Sequence, residues 1–77
     1  MNQSELTSYL ILLGIKQLVT SVFSYHKTEK KLIYVNRDKL IVKTYILGIS
    51  NGLSGHNTTT TEYHYPVTIE QLKDVLN

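Results

Sequence analysis

His26, His56 and His64 are the side chains of this sequence best suited to metal ligation or to proton transfer near neutral pH. No two of them stand at the spacing that lays two ligands on one helical face, and the histidine–glutamate–histidine pattern of helical zinc sites is absent. If the strand carrying His26 paired with the strand carrying His64, the two imidazoles would approach each other beside the Glu62 carboxylate. That would make a metal or general-base cluster only if three ligands converged, so exposed strand histidines are the simpler expectation. Gly48, Gly52 and Gly55 are spaced like a phosphate cradle, yet no Lys-Ser or Lys-Thr pair follows them. A threonine run comes next, where a phosphate site needs a helix N-terminus. The absence of Cys removes thiolate chemistry, disulfides and thiolate-held zinc. The residues therefore imply no enzyme, no cofactor and no metal.

Binding chemistry is better represented. Lys27, Lys30, Lys31, Arg37, Lys39 and Lys43 stand against Glu29 and Asp38, a local balance of +4 in a chain of net charge +2, so the remainder carries −2. Tyr25, Tyr34 and Tyr45 interleave with these cations, and Tyr63 and Tyr65 follow further on. Lysine mixed with tyrosine can hold phosphates and stack on bases. The same mixture suits a protein interface, because Tyr brings a large contact area with few rotors. A single Arg and a pI near 8.9 weigh against a dedicated nucleic-acid domain. Lysines at turns and edges also keep strands from pairing with strangers.

The elements that must carry these residues begin with a helix from Asn2 to Leu18, since Asn2 and Glu5 approximate a capping box. At 100° per residue Leu6, Tyr9, Leu10 and Leu13 form one apolar stripe, while Ile11, Leu12, Ile15, Leu18 and Val19 form a second on nearly the opposite side. One sheet covers one stripe, so Ile11, Leu12, Ile15 and Leu18 are candidates for self-association, with Gly14 permitting close backbone approach. Strands are expected at Val22–His26, Lys31–Asn36, Lys39–Ile49 and Thr59–Tyr65, with a loop over Ser50–Thr61 that is rich in Gly, Ser, Asn and Thr. Short connections make the strands antiparallel neighbours. Thr68 and Gln71 form a second capping box, Val67 and Leu72 a hydrophobic staple, and Ile69, Leu72, Val75 and Leu76 the inward stripe of a short last helix. The expected fold is a single α+β domain over residues 1–77: an N-terminal helix, a three- to four-stranded antiparallel meander, and a short C-terminal helix.

Length sets the energetic frame. A chain of 8.8 kDa buries about 8,000 Å² on folding, and the resulting burial term of about 110 kcal/mol nearly cancels about 115 kcal/mol of ordering entropy. Association with a partner or a second copy would shift that balance. No apolar run reaches the ~20 residues of a membrane helix, and no signal-peptide pattern opens the chain, so the cytoplasm is the expected compartment and no membrane is implied. The absence of Ala and the abundance of Ile, Asn, Lys and Tyr suit an AT-rich genome. Together these features point to a non-enzymatic protein-binding module. The expected type is a phage or mobile-element inhibitor of a host protein, of the anti-defence or anti-CRISPR kind, acting by steric occlusion in the host cytoplasm and able to form a homodimer. Two alternatives are a small nucleic-acid-binding regulator that uses the basic Tyr/Lys hairpins, and a structural component of a virion.

Overall fold

Asn2 opens the first helix as its capping box requires. Its side chain accepts the Glu5 N–H at 2.9 Å while Glu5 Oε1 accepts the Asn2 N–H at 3.1 Å. In this computed structural model the helix, α1, spans Gln3–Leu12 and stops well short of Leu18. The reason is Gly14, which takes φ +79 in the left-handed region. Around it the Gly14 N–H donates to the Ile11 carbonyl at 3.0 Å and the Ile15 N–H to the Leu10 carbonyl at 3.1 Å, the paired bonds of a Schellman ending. No atom lies within 4 Å of the place a Gly14 Cβ would occupy, so Gly14 serves backbone conformation and not close approach.

The chain then forms β1 (Lys16–Val19), β2 (Val22–His26), β3 (Lys30–Val35), β4 (Lys39–Ser50), β5 (Leu53–His64) and α2 (Ile69–Val75). The structure describes residues 1–50 and 53–77, with side chains described for 1–45 and 58–77. All strands are antiparallel and lie in the order β1-β2-β3-β4-β5, so the α+β meander has five strands where three or four were expected. The extra strand is β1, released by the early end of α1. Most of the expected Ser50–Thr61 loop is also strand, because β5 pairs with β4 in unbroken register from Lys39 opposite His64 to Ser50 opposite Leu53. The side chains of Gly48, Gly52, Gly55 and His56, and with them the cradle-like spacing, lie outside the described residues.

Both helices pack on one face of the sheet. Phe23, Ile33, Val35, Leu40 and Val42 point to that side by strand alternation, and with Leu6 and Leu10 of α1, Val67, and Leu72 and Val75 of α2 they form the buried core. Burying these ten apolar side chains is the main stabilising term, at about 1.5–3 kcal/mol each. Of the expected inward stripes, Tyr9 and Leu76 are partly buried against this core and two residues stay outside it. Leu13 falls at the end of α1 and Ile69 at the first position of α2, where each is about half exposed.

Only seven residues long, α2 depends on what holds its ends. Thr68 and Gln71 close the second capping box at 3.0 and 3.1 Å, and Val67, fully buried, exchanges backbone hydrogen bonds with Met1. At the other end Tyr25 donates to the Leu76 carbonyl at 2.7 Å and Lys31 to the Val75 carbonyl at 2.6 Å.

The accessible surface is 5349 Å², above the about 4,800 Å² usual for this mass. The radius of gyration of 13.3 Å likewise exceeds the about 11.5 Å of a compact chain of this length. Two features of the topology account for this. The sheet is covered on one side only, and β4 and β5 continue as a pair beyond Tyr45, where β3 ends opposite at Lys30.

Candidate functional site: the open face of the sheet

Strand alternation sends every second side chain away from the helices, and register aligns those side chains into rows. Val22, Tyr34, Ile41 and Glu62 make one row across β2 to β5; Ser24, Leu32, Lys43 and Thr60 make the next; His26, Lys30, Tyr45 and Thr58 make the third. Lys16 extends the middle row onto β1 beside Ser24, and Lys39 closes the pattern opposite His64. Val22, Leu32, Tyr34, Ile41 and Tyr45 thus lie together as an apolar and aromatic centre with no element over them among the described residues. Each of them is half-buried.

Charge is segregated between the two sides. The open face carries Lys16, Lys30, Lys39 and Lys43 against Glu62 alone, a balance of +3, so the rest of the molecule totals −1. Lys39 is partly neutralised by Glu62 at 2.9 Å, a pair exposed enough to be worth under ~1 kcal/mol. Lys43 Nζ sits 5.4 Å from the ring centre of Tyr34, which holds a cation and an aromatic face together in the middle of the surface.

The sequence-derived candidates therefore divide. Lys30, Tyr34, Lys39, Lys43 and Tyr45 converge on the open face. Tyr25, Lys31, Tyr63 and Tyr65 point to the helix side, where Tyr25 and Lys31 tie down α2 and Tyr65 donates to the Asn36 carbonyl at 2.7 Å. Burial pushes the Tyr63 and Tyr65 hydroxyls above the usual phenol range, and the nearby Asp74 carboxylate adds to the rise at Tyr63. Lys27 and Arg37 sit in the β2–β3 and β3–β4 turns, at opposite ends of the sheet. Of the self-association set, Ile11 and Leu12 end α1, Ile15 lies in the turn, and Leu18 belongs to β1, so they are not one helical stripe. They remain largely solvent-facing, from Leu18 at 48% to Leu12 at 80%, with Ile15 partly covered.

The histidine cluster does not assemble. Two strands separate β2 from β5, and His26 lies level with Tyr45 while His64 lies level with Lys39 at the other end. Among the described residues no three His, Asp or Glu side chains group as metal ligands. A groove of about 450 Å³ lies between the end of α1 and α2, lined by Tyr9, Leu13, Ile69, Leu72, Lys73 and Leu76. It is shallow and open to solvent.

Comparison of the chain with protein-family models, with curated proteins and with solved structures gives no match. The open face is thus read from its own chemistry. Sequence pattern pointed to its lysines and tyrosines but missed Val22, Leu32 and Ile41 as surface residues. They look like core residues in any apolar strand, and only the placement of both helices on one side exposes them.

Proposed function

We propose that the chain is a non-enzymatic binding protein that docks another macromolecule on the open face of its sheet, and that it inhibits that partner by occlusion. The observation that supports this reading best is the face itself: an apolar and tyrosine centre inside a lysine rim, uncovered by either helix. Such a layout matches protein interfaces, which have an apolar, aromatic centre surrounded by polar groups. The +3 balance selects an acidic surface and speeds encounter with it. A host protein whose working surface is acidic is the partner class this implies. Among the described residues no helix is long and apolar enough to cross a membrane.

The test is affinity capture from lysate of the source cell or its host, run in parallel with Tyr34→Ala and Lys43→Glu. One dominant acidic protein held by the native chain and lost from both folded variants supports the reading. Equal capture by all three, or none, overturns it. Lys43 over Tyr34 favours a second reading, single-stranded nucleic acid, whose mark is an affinity falling with log salt at ~0.7 per phosphate contact.

A further inference from the structure

The two edges of this sheet are built in opposite ways. β1 has the features that prevent strand addition: it is four residues long, opens on Lys16, and its register breaks between Gln17 and Val19. The other edge, β5, is twelve residues long, keeps one register throughout, and contains no Lys, Arg or Pro. Its exposed centre is Thr58-Thr59-Thr60-Thr61, and β-branched residues favour extended backbone. Among the described residues the sheet order ends at β5, so about half of the strand's backbone groups face away from any ladder partner.

We propose that β5 pairs with β5 of a second copy, antiparallel across a two-fold axis passing through the threonine run, to give a continuous ten-stranded sheet. Side-chain chemistry favours the second copy as occupant, because Thr opposite Thr is a favourable cross-strand pair. An antiparallel strand laid on its own image sets Thr against Thr, or Thr58 against Glu62, and nowhere opposes like charges within Thr58–Glu62. A polythreonine edge also has few side-chain features to recognise a foreign segment, so backbone pairing dominates and a self-complementary strand satisfies it. A two-fold axis normal to the sheet keeps all four helices on one side. The open faces of both copies then join into one surface with twice the lysine and tyrosine rows. This inference stands apart from the proposed docking function, because it concerns the sheet edge and not the face.

Sedimentation equilibrium of the native chain at about 100 µM, a concentration that saturates any dimer with a Kd near ~1 µM, reads the outcome directly. The expected mass is twice 8.8 kDa, halved in the Thr59→Lys/Thr61→Lys double variant, which sets lysines opposite one another across the axis while the circular dichroism stays native. Ile11→Glu/Leu12→Glu, at the exposed end of α1, keeps the doubled mass. A native chain of single mass overturns the proposal, as does a dimer that survives the lysines but dissociates in the α1 variant.

Discussion

Lys31 Nζ lies 2.6 Å from the Val75 carbonyl and 3.3 Å from that of Asn77. A lysine on the helix-facing side of the sheet would be costly if unpaired, but here its charge meets carbonyls at the C-terminal end of α2, where the helix dipole is negative. Chain segments 44 residues apart are joined by that contact.

Replacing Lys31 with Met keeps the stem and removes the charge. The expected loss is about 1–2 kcal/mol, since a charge-assisted bond and a dipole interaction go together. Thermal melting should fall by roughly 4–8 °C for each kcal/mol lost. Tyr34→Ala on the open face should lower it far less, which separates the structural lysine from the surface residues.

Neighbouring positions on α1 should behave in opposite ways. Leu10 is fully buried whereas Ile11 is 52% exposed. Leu10→Glu forces a charge into the core and should unfold the chain; Ile11→Glu and Leu13→Glu should leave the far-ultraviolet circular dichroism unchanged. Unfolding by Ile11→Glu would show that side chain to be buried within the chain.

Alkaline stability follows from Tyr63 and Tyr65. Their folded pKa values lie above the ordinary phenol value of 10.0, first through burial and, for Tyr63, also through Asp74. The neutral hydroxyl is thus the form the fold prefers. Its contribution is complete below the unfolded pKa and declines as pH rises through the folded values, because the unfolded chain gives up these protons first. The denaturant midpoint should hold to about pH 9 and fall above pH 10. Tyr65→Phe, which cannot donate to the Asn36 carbonyl, should start lower and fall less steeply.

Glu62→Gln probes the open face without disturbing the core. The Lys39–Glu62 pair is exposed on both sides, so stability should change by less than ~1 kcal/mol. The balance of the face rises from +3 to +4, and association with an acidic partner should quicken at low salt, the gain vanishing at high salt. Equal association rates at low salt would show that the charge of this face does not guide encounter.

Local chemistry determined much of this protein in advance. Asn2 with Glu5 and Thr68 with Gln71 announced both helix starts, because a capping box is closed by residues three apart. Alternation over Val22–His26, and the turn residues after it, placed β2 to β4 to within a residue. Gly14 just past an apolar run is a helix-end signal that competes with an apolar periodicity running on to Leu18. In the fold the glycine prevails, so α1 and β1 are separate and the second helical stripe does not form. The remainder was settled by tertiary structure alone. Sequence spacing cannot say on which side of a sheet a helix will lie, since Val22 and Ile41 are as apolar as Ile33 and Val42. When both helices took the side of Phe23, Ile33 and Leu40, the same alternation that buries those residues left Leu32, Tyr34 and Ile41 facing outward. Register then gathered lysines distant in sequence onto one surface and left the threonines of β5 along its free edge.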